Sequence, residues 1–320
     1  MKIVLVSGAS GIIGYGILRS IKKSNPAIKL IGTSIYDDSP AQGFCDVFEL
    51  APKSNDPSYI DWLTQMIKKH GVSLIIPGIE IDMYLWMQRS EAIAATGVKM
   101  VLNRPDLVSL CADKWHFYQH LIQFEHDHAI KTSLLQDFDE LEQILKLPFL
   151  LKPRSGHGSK GIVKVDSRET FSRHRSRVGS ELMAQMFVGN DDGEYSSTVF
   201  GDGNGGFCAS ISLRRKLSAS GFTDKAEVVD KKEINEALQR LTGIYKPIGP
   251  TNFQFREHEN VLKLLEINPR ISSSTSIRTA FGYNESEMAT RYYLEGKMPT
   301  QPIIREGRAV RYIEDLIFYK

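Results

Sequence analysis

The residues of this chain whose types and spacing suit phosphate chemistry fall in three places. The first is Pro148-Phe149-Leu150-Leu151-Lys152-Pro153, an apolar strand with a lysine near its end, followed by Arg154-Ser155-Gly156-His157-Gly158-Ser159-Lys160-Gly161. Glycines between two strands permit a flap, and the amides around Ser155, Gly156 and Gly158 can close over phosphate oxygens. Lys152 would add a point positive charge to the same oxygens. A glycine-rich hairpin with exposed lysines is the plainer reading of the same letters. The second place is Gln254, Glu266, Asn268 and Arg270. Glu266 and Asn268 are two apart on one strand and so share a face, and a short turn can bring Gln254 opposite Glu266. One carboxylate and two amide oxygens are hard ligands suited to a magnesium ion that keeps phosphates and waters as its other ligands. Arg270, just past Pro269, is placed to hold a transferring phosphoryl group. A solvated strand face would not favour Leu264-Leu265-Glu266-Ile267, because a carboxylate among apolar neighbours needs a partner. The third is Lys114, which falls on the apolar stripe Leu107, Leu110, Cys111, Tyr118 and Leu121 of a helix expected from Asp106 to about Gln123. Its ammonium either aims at an anion or snorkels over apolar surface.

The elements that position these groups alternate in type. Ile3 to Val6, Leu30 to Ile35 and Leu74 to Ile76 read as strands. Helical patterns follow them from Ile13, over Tyr59 to His70, and around Met83 to Thr96. This βαβαβα rhythm predicts a Rossmann-like parallel sheet over 1–103. Beyond Pro105 the pattern changes to an α+β one. Short strands Phe149 to Leu151 and Ile162 to Val165 flank the flap, giving a central lobe over 104–183. Leu182 to Phe187, Glu194 to Phe200, Phe207 to Leu213 and a hairpin turning at Glu257 to Asn260 lead into a C-terminal lobe, 184–320. A helix is expected from about Asp230 to Thr242. Asn284 with Glu287 three residues on has capping-box character and opens another, to Glu295.

Composition narrows the function. Forty Lys and Arg against 38 Asp and Glu leave a formal charge of +2, which disfavours a protein that coats nucleic acid or anionic membranes. Three cysteines without a CxxC pair argue against a disulfide framework or a zinc site. The apolar run at the N-terminus is too short and glycine-rich for a signal peptide, so a cytoplasmic protein is expected.

Lys114, the Lys152 strand with its flap, Gln185 to Val188, Glu194-Tyr195 and Glu266-Ile267-Asn268-Pro269-Arg270 occur in the order seen in ATP-grasp ligases. Together they resemble the ATP-binding portion of the carbamoyl-phosphate synthase large subunit over nearly the whole chain. The resemblance implies an N-terminal Rossmann-like lobe followed by an ATP-grasp fold of two α+β lobes. It implies that Lys114 and Lys152 bind ATP phosphates, that Gln185 and the Val188 backbone meet adenine, and that Glu194 lies near the ribose. Gln254, Glu266 and Asn268 would coordinate magnesium, two ions by expectation, with manganese as a substitute. Many family members have an acidic residue where Gln254 stands, so this cluster carries less negative charge. Arg214 or Arg215 would meet the carboxylate substrate or its acyl phosphate, with Arg278 a weaker candidate. At 320 residues the chain falls short of a duplicated synthase with an ammonia tunnel, which argues against carbamoyl phosphate as product.

The implied activity is an ATP-dependent carboxylate–amine ligase working through an acyl phosphate, with small-molecule substrates, no nucleic acid or membrane partner, and homodimerisation as common among similar enzymes. One rival is an NAD(P)-dependent epimerase or reductase built on Gly8-Ala9-Ser10-Gly11-Ile12-Ile13-Gly14, with Asp37 or Asp38 on the ribose. The acid/base pair such an enzyme needs has one match, Tyr293 with Lys297. The other rival is a non-catalytic ATP-binding module.

Overall fold

A computed structural model describes residues 2–156 and 161–318 of the chain. The first lobe contains β1 (Ile3–Val6), α1 (Ile12–Ser24), β2 (Lys29–Ser34), β3 (Val47–Leu50), α2 (Tyr59–His70), β4 (Leu74–Ile76), α3 (Glu80–Gln88), α4 (Ser90–Ala94) and β5 (Lys99–Met100). Its five strands pair in the order β3-β2-β1-β4-β5, all parallel. Such strands are covered on both faces, which explains why Val4 to Val6 and Leu74 to Ile76 are unbroken apolar runs and fully buried. The helix expected over Met83 to Thr96 is two, broken at Arg89.

The linker Asn103-Arg104 leads into α5 (Pro105–Ala112) and α6 (Lys114–Phe124). The single helix expected here breaks at Asp113, which is extended (φ −121°, ψ 112°) and caps α6 by accepting from the amides of Trp115 and His116. A short polar side chain that bonds its own downstream amides ends one helix and starts another. Lys114 therefore opens α6 and does not lie mid-stripe.

A small lobe follows: β6 (Thr132–Ser133), α7 (Phe138–Leu145), β7 (Phe149–Pro153), β8 (Val163–Val165), α8 (Arg168–Ser172) and β9 (Leu182–Met186), with strand order β6-β9-β7-β8. It has its own core, in which the rings of Phe138, Phe149 and Phe171 meet at centroid distances of 5.9–6.3 Å. The expected boundary at 183/184 would cut β9, which pairs with β7 from Leu182 to Met186.

The last lobe is a six-stranded sheet, β14-β13-β10-β11-β12-β15, antiparallel throughout. It comprises β10 (Glu194–Asp202), β11 (Phe207–Leu217), β12 (Thr223–Val229), α9 (Lys232–Tyr245), β13 (Ile248–His258), β14 (Val261–Asn268), α10 (Thr275–Ala280), α11 (Glu285–Glu295) and β15 (Arg308–Val310). One sheet face packs on α9 together with α5 and α6 (Leu107, Phe117 and Leu121 against Leu238, Phe253 and Phe255). The other joins the first lobe, since Phe200 and Leu213 share a core with Ile17, Leu18, Ile277, Tyr283 and Met288. The helices expected in the central lobe thus pack against the C-terminal sheet, and the first lobe is welded to it through α10 and α11. The cap on α11 forms, with Asn284 Oδ1 accepting from the Glu287 amide at 3.1 Å.

Candidate active site

Between the small sheet and the six-stranded sheet lies a cleft of about 320 Å³. β7 supplies Lys152 from one wall, and β13 and β14 supply Gln254, Glu266 and Asn268 from the other. The hairpin turns on two residues in left-handed conformation, Glu259 (φ 50°) and Asn260 (φ 62°), which pair His258 with Val261. Counted from that turn, Gln254 would face Leu265. A bulge after Phe255–Leu264 shifts the register, so that Gln254 faces Glu266 instead. Such an extra residue re-aims the side chains beyond it.

Lys152 and Glu266, both half-buried, line the same cleft. Burial works to lower the Lys152 pKa, nearby Glu266 opposes it, and Lys114 and Arg256 add to the lowering; the net direction is down. Burial works to raise the Glu266 carboxyl, but Lys152, the Asn268 amide and Lys114 outweigh it and leave it below the usual carboxylate range. Asn268 donates to Glu266 Oε1 at 3.0 Å, so its own oxygen faces Arg270, which donates to it at 3.1 Å. Lys114 Nζ donates to the Gly156 carbonyl at 2.6 Å, reaching the start of the flap. The base of the flap is pinned to the helix break, since Arg154 meets Asp113 Oδ2 at 2.5 Å and the Lys114 amide donates to the Arg154 carbonyl at 2.8 Å. Ser155 and Gly156 lie at the mouth of an adjoining chamber. Gly158, with His157, Ser159 and Lys160, lies outside the described residues.

The remaining expected residues divide sharply. Gln185 and Val188 line the cleft, with Gln185 donating to Thr132 Oγ1 at 3.1 Å. Glu194 is buried, and both its oxygens are engaged: Oε1 by Arg215 at 2.9 Å and Oε2 by Arg256. Of the cationic run Arg214-Arg215-Lys216, strand alternation turns only the middle one inward. Arg215 is 5% exposed, binds Glu194 and donates to Gln254 Oε1 at 2.7 Å. Arg214 points to the opposite face, pairs with Glu227 and does not line the cleft. Lys216 pairs with Asp192 on that outer side. Arg278 is fully buried away from the cleft, held by Glu285 and Ser272 at 2.9 Å each. Ser272 and Ser273 line the cleft, and Ser274 and Thr275 are buried.

Several lining residues had no signal assigned to them. Arg256 sits two positions from Gln254 on β13, so the period of two alone places both on one face. Glu80 follows the C-terminal end of β4, where open parallel sheets present functional groups, and its Oε1 lies 3.3 Å from Arg270 Nη2. Gly8 packs tightly on the start of α3, while Ile12 and Ile13 beside it line the cleft. A Cβ on Gly8 (φ +56°) would fall 2.5 Å from Ile79 Cγ2, and one on Gly78 would fall 2.1 Å from the Ser7 carbonyl. Close packing of α1 on the sheet accounts for these glycines. Tyr293 donates to the Leu102 carbonyl, while Lys297 is 63% exposed and pairs with Glu295, so the two form no acid/base pair. Among the described residues, no group of three or more His, Cys, Asp or Glu could hold a metal by itself. Of the oxygens expected to hold magnesium, Gln254 Oε1 accepts from Arg215, Asn268 Oδ1 from Arg270 and Glu266 Oε1 from Asn268. Among the described residues no helix is long and apolar enough to cross a membrane.

Residues 182–316 match the family model described as ATP-grasp in the biosynthetic pathway with Ter operon. Residues 5–101 match that of the PylC-like N-terminal domain. No curated protein sequence matches the chain. Among solved structures, N5-carboxyaminoimidazole synthetase from Staphylococcus aureus, complexed with ADP, superposes with a TM-score of 0.73 at 18% identity, covering 95% of this chain and 80% of that one. The biotin carboxylase domain dimer of Hydrogenobacter thermophilus 2-oxoglutarate carboxylase, in complex with MgADP and bicarbonate, gives 0.73 at 16% identity, over 96% and 73%. The Aspergillus clavatus N5-carboxyaminoimidazole synthase, with ADP and 5-aminoimidazole ribonucleotide, gives 0.70 at 18%, over 95% and 80%. The chain has the ATP-grasp fold.

Proposed function

We propose that this chain, an ATP-grasp protein, is an ADP-forming C–N ligase that joins a carboxylate to an amine through an acyl phosphate. The observation that carries the reading is the convergence of Lys114, Lys152, Arg215, Arg256 and Arg270 with Glu266 and two amide side chains in one cleft between the two sheets. That is a site built for a polyphosphate and for a reaction whose barrier is charge repulsion.

ATP would lie with its adenine against Gln185 and Val188 and its phosphates under Lys114, Lys152, Ser155, Gly156 and Gly158. Glu194 keeps acceptor capacity beyond its two arginines, since a carboxylate offers about four lone-pair sites, and one of these would take a ribose hydroxyl. Gln254, Glu266 and Asn268 would hold magnesium, whose role when bound is to neutralise phosphate oxygens; the proposal carries two ions, with Mn²⁺ as a substitute. A substrate carboxylate oxygen attacks the γ-phosphorus, the bond to the β-phosphate oxygen breaks, and ADP leaves with that electron pair. An amine nitrogen then bonds the acyl carbon, the carbon–oxygen bond to phosphate breaks, and inorganic phosphate departs. Arg270 and Arg215 hold the transferring group in line, and closure over the cleft excludes water from the acyl phosphate. The substrates are small molecules and the chain is cytoplasmic in this reading, which leaves the homodimer seen among similar enzymes as part of the proposal.

The test is turnover of Mg·ATP over a panel of carboxylic acids with hydroxylamine as amine. We expect ADP and a hydroxamate in equal amounts. AMP with pyrophosphate, or intact nucleotide binding with no turnover across acids and amines, would overturn the ligase reading.

A further inference from the structure

The small lobe has a core of its own and joins the rest of the molecule by two crossings, residues 125–131 on the way in and 187–193 on the way out. Both crossings are fastened to the tip of the β13–β14 hairpin. On the way in, Lys263 Nζ donates to the Asp127 carbonyl at 2.7 Å, and His128 Nδ1 lies 2.7 Å from the Leu262 carbonyl. On the way out, the Gly189 amide donates to His258 Nδ1 at 3.1 Å. Gly189 (φ +62°) sits so close to the tip that a Cβ would fall 2.3 Å from the Glu257 carbonyl.

Each fastening fixes the protonation of a histidine. A carbonyl only accepts, so His128 Nδ1 carries the hydrogen. Arg240 only donates, and its Nη2 lies 2.9 Å from His128 Nε2, so that nitrogen is bare and the buried ring is neutral. A second proton would set an N–H against the guanidinium. Glu125 offers the alternative, with Oε1 at 3.3 Å from Arg240 Nε and Oε2 at 4.0 Å from His128 Nε2. An imidazolium would therefore turn to Glu125 and give up Arg240. The other groups here are neutral or turned away: the Phe255 ring packs edge-on, and the His126 and Asp127 side chains are exposed. His258 must likewise accept through Nδ1 from an amide, so protonation there removes the bond outright. Around it, Glu257 is engaged by Lys231 and Tyr195, Arg256 meets Glu194, Asp192 pairs with Lys216, and Glu259 is exposed.

We propose that these two histidines form a pH-sensitive latch on the small lobe. Neutral, they hold both crossings to the hairpin and keep Lys152, Gln185 and Val188 over the nucleotide cleft. Protonated, they release both. The hold is complete above the range in which imidazoles titrate and is lost as the pH falls through it, from about 8 to about 5. The nucleotide then meets a lobe that must first be brought back, which lowers its affinity.

The experiment compares the parent with the double variant His128→Gln, His258→Asn at about pH 8 and about pH 5.5. In that variant one amide oxygen accepts from Arg240 and another from the Gly189 amide, so the latch remains and its titration is gone. Residual dipolar couplings of backbone amides, without nucleotide, read the orientation of the small lobe. At the higher pH both lobes of the parent should fit one alignment, and imidazole nitrogen shifts should place the His128 hydrogen on Nδ1. At the lower pH the couplings of residues 132–186 should depart from that alignment in the parent and not in the double variant. Calorimetric titration of Mg·ADP should show a loss of affinity on acidification about five-fold greater in the parent, the nucleotide's own ionisation being common to both. Parent couplings that fit one alignment at both pH values, or equal losses of affinity in the two proteins, overturn the inference. If the parent binds no Mg·ADP at either pH, the ligase reading falls and the couplings alone decide the latch.

Discussion

Lys152 is half-buried and Arg215 buried, and the two cations stand on different physical footings. Lys152 has no hydrogen-bonded partner of its own among the described contacts beyond the charge of Glu266, and its burial depresses its pKa. An ammonium partly withdrawn from water and awaiting a ligand costs folding energy, so the ligand must supply what the fold withholds. Lys152→Met is accordingly expected to weaken Mg·ADP binding by about ten- to hundred-fold, the range for a hydrogen bond to a charged group, while the melting temperature stays level or rises. Calorimetric titration beside a thermal melt checks both; a large drop in melting temperature would assign Lys152 to the fold and not to the ligand. Arg215 is bound to Glu194 and Gln254, so it serves structure and cleft at once. These types were legible from sequence because an isolated lysine or carboxylate in an apolar strand has few reasons to be there. Which of Arg214 and Arg215 enters the cleft was not, since only the phase of β11 against its neighbours decides it.

The break between α5 and α6 is the element on which the flap depends. Asp113 caps α6 and, through the same carboxylate, clamps Arg154 at the flap base. Arg154 also donates to the Gly179 carbonyl at 2.7 Å, so one guanidinium joins the helix break, the flap and the small sheet. Asp113→Ala should cost about 1 kcal/mol for the cap and lower nucleotide affinity as the flap base loosens. Asp113→Asn separates the two roles, because the amide oxygen can still cap but the charge is gone. Chemical denaturation should then show stability largely restored and nucleotide affinity still reduced; full recovery of both would refute the clamp. A continuous apolar stripe from Leu107 to Leu121 concealed this break, since both helices present that stripe to one core. The bulge in β14 was likewise hidden, because bulges have no composition of their own.

At the scale of the molecule, two lobes behave as one body and the small lobe stands apart with a separate core. The weld is polar at its centre. Arg278 and Glu285 are both fully buried, and they link α10 and α11 to Ser196 and Asn252 of the large sheet. Removing one member leaves an uncompensated buried charge, so Arg278→Met is expected to cost about 3–5 kcal/mol. The double change Arg278→Met with Glu285→Leu should recover most of it, measured by urea unfolding. If the double variant is as unstable as the single, the pair contributes more than charge compensation. The same weld lets the first lobe lend Glu80 to Arg270, bringing two lobes far apart in sequence into one site.

By itself the sequence determined the fold class, the parallel sheet followed by antiparallel lobes, and the residue types of the cleft. Periodicity and isolated charges in apolar strands are local properties, readable within a dozen residues. Tertiary structure alone decided that a bulge sets Glu266 against Gln254, that Glu194 is held between Arg215 and Arg256, and that Arg278 is sealed in a weld. It also decided that Gly8 packs on Ile79 and that a second chamber adjoins the cleft. Each of these depends on strand register, a bulge, or contact between residues of different elements, and no local pattern encodes such distances.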